Sequence, residues 1–561
     1  MASVFGTLSC STILIGKKAT VDGSVIAASS CDGDIMGVID VMPAREYPPG
    51  TKLPMYVNYP RPQTYQEFVE QVRGGYDCVG SLSVERTYRS LLYSGYLTTI
   101  VTGGLNEFGV SMGIEFMPMR PELVNTRGVT SSCTNHWTTS LIANGLMRAK
   151  SAREAIRVIG AVVEEHGFRY YYAPTAGTMI PIADRDEVWM MEIFGPGDRW
   201  TPGDGTPGAV WCAQRIPDDE VGFNTNRSRI GLVDLSKPDF FIASSNIHSL
   251  AEELGLWKHG EPFVWHEVYG VPFDRWSCLR EWAFMNRLCP SLKVKATGDA
   301  KVDRYPFSVK PEKKLGVPDV MEIMRDFYEG SEFDVTRHPA FNPGGKRSPL
   351  ARPWGSGELF DLLGIKVERC IGTESSDYVF INQMRSWLPD PLVGCTWFTY
   401  GAAYTGCFTP LYSGVTELPE SWSRPADFAR IDRSQAQWNF RLVQNLVNIK
   451  YQEAIQDVEQ LRRPAETGFL AAQAELEKEA LRIFKAEGPG GLQKYLTEYA
   501  SQCLKQVGYA YGELVDYLML KYLCMYPEAS LLRLPRIAPP AIPAVRSAGC
   551  LPLPPAPDRI E

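Results

Sequence analysis

The stretch from residue 10 to residue 33 limits the fold more than any other part of the chain. Thr12 to Ile15 and Val25 to Ala28 are short, apolar, partly β-branched runs, and the polar stretch between them contains Asp22-Gly23, a strong tight-turn signal. The pattern predicts two paired antiparallel strands, with Cys10 at the head of the first. A thiol at a strand end, beside a sheet edge or cleft, suits a nucleophile, whereas free cysteine more often packs as a small hydrophobe. Residue chemistry alone leaves both readings open. If the peptide bond before Cys10 were cut, its α-amine, with a pKa near about 8, would accept protons beside the thiol.

Composition removes several function classes. A net charge of -8 over 561 residues argues against nucleic acid as the main partner, because a binder of phosphate backbones shows a basic face. No long apolar run suggests a membrane span, and residues 1 to 9 lack the charged start and apolar centre of a signal peptide. The expected address is cytoplasmic. The 13 cysteines are scattered without a Cys-x-x-Cys pair, which fits a reducing compartment better than a disulfide framework. The six histidines form no His-Glu-x-x-His pattern, so neither a metal nor any other cofactor is expected.

Further along, Thr98 to Gly103 and Gly109 to Phe116 read as strands around the turn Leu105-Asn106-Glu107-Phe108. Ser151-Ala152-Arg153-Glu154 is a capping box opening a helix with apolar residues at helical spacing, and Gly167 ends it. Thr178 to Ala183, Val188 to Phe194, Trp211 to Ile216, Ser376 to Met384 and Cys395 to Tyr404 have strand character. Strands in hairpins, interrupted and followed by helices, fit an α+β fold in which helices cover stacked sheets. Residues 293 to 355 are rich in proline and read as an insertion or lid around one helix near Val320 to Tyr328. Beyond Asp432 amphipathic helices are expected at about 434 to 462, 466 to 486 and 490 to 523, packed on the outside or forming a dimer surface. The end of the chain, with eight prolines in the 27 residues from Pro535, is expected to be disordered.

The segment Cys10-Ser11-Thr12-Ile13-Leu14-Ile15-Gly16-Lys17-Lys18-Ala19-Thr20, with Asp22-Gly23-Ser24 after it, resembles the mature N-terminus of the dipeptidase A family (PepD type, related to the secernins), which are N-terminal-nucleophile hydrolases. Gly104 to Val110, Ser151 to Phe168, Ala183 to Trp189, Trp211 to Asp219, Asn226 to Ile230, Trp387 to Pro389 and Pro410 to Glu417 are similar to family segments and stand in family order. The resemblance implies a four-layer αββα sandwich with added C-terminal helices. It also implies a propeptide over 1–9, a hydrolase domain over 10–431 with the insertion at 293–355, a helical extension over 432–533 and a tail over 534–561.

By the same resemblance Cys10 is the nucleophile, Asp32 holds and polarises its freed amine, and Asn226 helps to form the oxyanion pocket. Glu115, on the strand after the second hairpin, becomes a binding candidate by position. Arg280 lies among Phe273, Trp276, Trp282 and Phe284, where a guanidinium could anchor a substrate carboxylate. Many relatives carry an arginine where this chain has Ser29. The implied function is a cysteine-type dipeptidase acting on small peptides. An amidase of the penicillin V acylase type and a secernin-like interaction protein are the alternatives, and a homo-oligomer is compatible with any of them.

Overall fold

The computed structural model describes residues 10–33, 36–57, 77–95, 100–131, 137–170, 175–271, 275–297, 299, 303–354, 358–426, 430–524 and 532–542. The expected propeptide, most of the proline-rich tail, His136 and Phe273 lie outside them, as does the side chain of Trp276.

The first hairpin forms. Strand β1, Ser11–Ile15, pairs antiparallel with β2, Val25–Asp32, in a register that sets Ser11 against Ser30 and Ile15 against Ile26. The turn works because Gly23 adopts φ 84, a conformation that a side chain would oppose. Both strands are buried along their whole length, which explains why they read as apolar runs rather than as an alternating pattern. They sit in the middle of a seven-stranded sheet, ordered 308–309, 221–224, β1, β2, 376–384, 394–400 and 409–412. A second, nine-stranded sheet runs through 241–243, 210–216, 188–194, 176–183, 111–112, 100–106, 90–95 and 38–42, with Glu115–Pro118 also pairing on 176–183.

The two sheets meet face to face. Tyr93 of the second sheet packs its ring at a tilt, 5.0 Å from Phe380 and 5.4 Å from Phe398 of the first, and its hydroxyl donates to Asn382 Oδ1 at 3.0 Å. The outer side of the second sheet is covered by Leu141–Arg148 and Ala152–His166, whose Ile142, Ile156 and Ile159 pack with Ile180, Trp189 and Met191. Half of the expected capping box is present: Ser151 Oγ accepts from Glu154 N at 3.2 Å, but the Glu154 carboxylate accepts from Lys150 N at 2.8 Å instead of Ser151 N; Gly167 closes the helix. The architecture is therefore mixed, with antiparallel sheets and helices. The helix in the proline-rich region is Val317–Ile323, shorter than expected.

The C-terminal helices differ from expectation in where they break. Ala436–Leu446 and Tyr451–Leu518 are separated at 447–450, and the long helix runs through Pro464 to a kink at Gly488 (φ 72). Proline costs one backbone hydrogen bond, but Leu461 and Ala465 on either side of Pro464 are buried in the core, so packing outweighs local propensity. At the kink Pro489 opens the next helical stretch, a position that needs no N–H donor. These helices lie against the first sheet and its loops: Tyr511 stacks on Phe440 at 3.9 Å and donates to Thr405 O at 2.7 Å. Residues 532–542 run along them without regular structure, with Ile537 buried.

Candidate active site

The head of the hairpin is where distant segments converge. Continuing the Ser11–Ser30 pairing by one residue puts Cys31 opposite Cys10, and the two thiols are hydrogen-bonded. Cys31 in turn lies 3.5 Å from Thr102 Oγ1 and can donate to it, which leaves Cys10 as the donor between the sulfurs. Ser11 N donates to Ser30 Oγ at 3.1 Å, fixing the strand end. Cys10 itself is 6% exposed. Its thiol is held well above the ordinary range by the hydrogen bond to Cys31, by burial and by the electrostatics of Cys31 and Glu115, while Arg369 acts in the opposite direction.

Asp32 ends β2 opposite Ser376. Its carboxylate accepts from Ser376 Oγ at 3.0 Å and Ser375 Oγ at 3.4 Å and forms an ion pair with Arg369. Arg369 was not anticipated from sequence. It stands in an irregular stretch after the proline-rich region, and burial lowers its guanidinium to about 10.

Asn226 follows strand Val221–Asn224, which pairs with β1 and so delivers it to the same end of the sheet. It holds φ 72, an uncommon conformation that asparagine tolerates best among side chains with a Cβ. There its backbone N–H donates to Glu115 Oε2 at 2.7 Å, and its side-chain amide donates to Phe116 O at 3.0 Å. Burial pushes the Glu115 carboxyl up to about 7, against the Thr12 hydroxyl, the Asn226 N–H and Arg280, all of which favour its charged form.

Arg280 lies on the helix Arg275–Leu288 and is fully buried. It donates to Cys10 O, to Ser11 Oγ at 3.1 Å, to Thr225 O at 3.0 Å and to Asn226 Oδ1 at 3.1 Å. The guanidinium thus ties the nucleophile candidate to the Asn226 turn, and these N–H groups are turned inward rather than toward a substrate. Behind it, burial alone would raise the Glu281 carboxyl, but Arg227 and Arg229 hold it below the usual range. The structure therefore brings Cys10, Asp32, Glu115, Asn226 and Arg280 into one connected cluster and adds Cys31 and Arg369. Among the described residues no group of three or more His, Cys, Asp or Glu side chains could hold a metal ion, and no helix is long and apolar enough to cross a membrane.

Such a cluster can do acyl-transfer chemistry: a thiol at the head of one strand, a carboxylate at the end of the facing strand, and amide groups at the Asn226 turn. Comparison with known proteins points the same way. The profile of peptidase family C69 matches residues 83–463. The chain is 24% identical to the probable dipeptidase B of Lactococcus lactis subsp. lactis over 426 residues, 74% of this chain and 76% of that protein. It is 23% identical to the dipeptidase A of Lactobacillus helveticus over 432 residues, 75% and 78% of the two chains. With the probable dipeptidase A of Streptococcus pyogenes serotype M18 it shares 21% over 459 residues, 79% and 82%.

Proposed function

The chain belongs to peptidase family C69, and from that premise we propose that it is a cysteine-type dipeptidase of the N-terminal-nucleophile kind, working in the cytoplasm on small peptides. In this reading the stacked sheets with helices on both outer sides form the αββα sandwich over 10–431, the region 293–355 is an insertion, 432–533 is a helical extension and 534–561 is a tail. Residues 1–9 are removed autocatalytically, which frees the α-amine of Cys10.

The Cys10 sulfur then attacks the peptide carbonyl carbon while its proton passes to that amine. The tetrahedral intermediate collapses to a thioester as the amine hands the proton to the departing amino group. Water, deprotonated by the same amine, attacks the thioester, and the thiol leaves with the proton. Asp32 orients the amine. The Asn226 turn supplies the oxyanion donors, each worth about 3 to 4 kcal/mol when aimed at the developing charge; its side-chain amide would have to turn from Phe116 O to contribute. Arg280 and Glu115 are best read as positioning groups, since the former binds Cys10 O and the latter anchors the Asn226 backbone.

The observation that carries the proposal is Cys10 at the end of β1 with the Arg280 guanidinium on its carbonyl and the Asp32 carboxylate at the facing strand end. The test is mass spectrometry of the purified N-terminus together with hydrolysis of a dipeptide panel, an acyl-amide panel and a Cys10→Ala control. The expected result is a chain beginning at Cys10, cleavage of dipeptides and a loss of about 10⁴-fold or more in the variant. Unchanged hydrolysis in Cys10→Ala would refute the mechanism, and cleavage of acyl-amides alone would replace the dipeptidase by an amidase.

A further inference from the structure

Several charged or titratable groups bear on the Cys10 thiol. Cys31 faces it from β2, Tyr378 lies in the strand beside β2, Glu115 stands in the second sheet, Arg280 binds its carbonyl, and Asp32 and Arg369 form an ion pair at the end of β2. Ser29 also lies on β2 but carries no charge, and its hydroxyl is taken by Thr12 Oγ1 at 3.0 Å. Cys31, Glu115 and burial all favour the protonated thiol, and Arg369 favours the thiolate. A nucleophile in such a site needs a cation placed close by.

Arg369 is held there by rigid contacts rather than by chance. Its carbonyl accepts from Tyr328 Oη, Gly372 N donates to Asp326 O at 2.8 Å, and Gly33 N donates to Ser375 O at 2.9 Å. Asp326 is itself fixed by Arg287 at 2.7 Å. The approach is so tight at Gly372 that an added Cβ would lie 2.7 Å from the Arg325 carbonyl carbon. The turn 326–328 belongs to the proline-rich region, so that region supplies the base on which Arg369 stands.

We propose that Arg369, delivered by the segment following the proline-rich insertion, fixes the Asp32 carboxylate and places the positive charge that attracts the Cys10 thiolate. It is a positioning residue, and this role rests on the reading of Cys10 as nucleophile. Because the guanidinium and Asp32 cancel in net charge, their order in space decides the effect on sulfur: losing the cation disfavours the thiolate, and neutralising the carboxylate favours it.

The experiment follows iodoacetamide labelling of Cys10 by peptide mass mapping across about pH 6 to 10 in wild type, Arg369→Gln, Arg369→Lys and Asp32→Asn, with dipeptide kcat/KM measured alongside. Arg369→Gln is expected to move the labelling midpoint upward and to slow labelling at pH 7 about tenfold or more. Arg369→Lys should keep the wild-type midpoint, and Asp32→Asn should move it downward while lowering kcat/KM. An unchanged midpoint in Arg369→Gln, a soluble Arg369→Lys that behaves like Gln, or no labelling of wild-type Cys10 anywhere in the range would overturn the role of Arg369. If Arg369→Gln fails to fold, the Lys and Asp32→Asn variants decide it. Labelling needs no turnover, so a wild type that labels as expected but hydrolyses no dipeptide counts against the dipeptidase reading and leaves this one standing.

Discussion

The two ends of the β1–β2 hairpin follow different rules. At the turn, neighbours do most of the work: Asp22 Oδ1 accepts from Ser24 N at 3.0 Å and Ser24 Oγ at 2.6 Å, and Thr20 Oγ1 donates to Ser24 O at 2.7 Å. At the head, Cys10, Cys31 and Asp32 meet Glu115, Asn226, Arg280 and Arg369, which come from four separate parts of the chain. A local end is cheap to build and tolerant. An end assembled from distant charged groups in a buried space is costly to disturb, because every missing partner leaves another group desolvated and unmatched.

The largest contrast is expected from Asp32→Ala. It removes the carboxylate that pairs with buried Arg369, so stability should fall by about 3–5 kcal/mol and kcat/KM by about 100-fold or more. Urea unfolding and dipeptide hydrolysis read the two losses. A variant that kept both would erase the distinction between the ends. Glu115→Gln comes next. The folded state holds the Glu115 proton up to about 7 against an ordinary value of 4.5, so the wild type binds more protons folded than unfolded in that window and loses stability as pH rises through it. The effect is at most about 3 kcal/mol. The Gln variant should show a flatter dependence of unfolding free energy between about pH 5 and 8, and an equally steep one would mean that Glu115 is not the group responsible.

How far the sequence predicts this site follows from the same contrast. The hairpin, its turn and the Ser151 cap were legible because their signals lie within a few residues of one another. Cys31 was legible in principle, since the turn position sets the register and the register puts Cys31 opposite Cys10. Asn226 and Glu115 could be singled out only by resemblance, Arg280 only by the aromatic residues near it in sequence, and nothing local tells that Arg280 would face inward to Cys10 O. Arg369 had no signal at all: a lone arginine in an irregular stretch acquires meaning only when strand Ser376–Met384 pairs with β2. The unbroken helix across Pro464 was hidden for a similar reason, because burial of its neighbours is a property of the fold.

Cys31→Ala sharpens the comparison with a smaller effect. Removing the acceptor of the Cys10 S–H lowers the Cys10 pKa, so labelling of Cys10 by iodoacetamide at pH 7 should be several-fold faster than in wild type. Because Cys31 is buried, some stability is lost as well, on the order of 1 kcal/mol. Slower labelling would show that Cys31 assists the thiolate instead of restraining it.

Gly23→Ala is the smallest change and the cleanest control. At φ 84 an alanine is strained, yet its Cβ would meet only Trp387, at 3.9 Å, so the cost is conformational and amounts to about 1 kcal/mol. The register from Ser11–Ser30 to Ile15–Ile26 is also held by the strands on either side, 221–224 and 376–384, so the turn need not be perfect for the head to stay in place. The urea midpoint should drop slightly while dipeptide kcat/KM stays within about twofold of wild type. If kcat/KM fell in step with Asp32→Ala, the hairpin would be transmitting strain along its whole length, and its two ends would have to be treated as one mechanical unit.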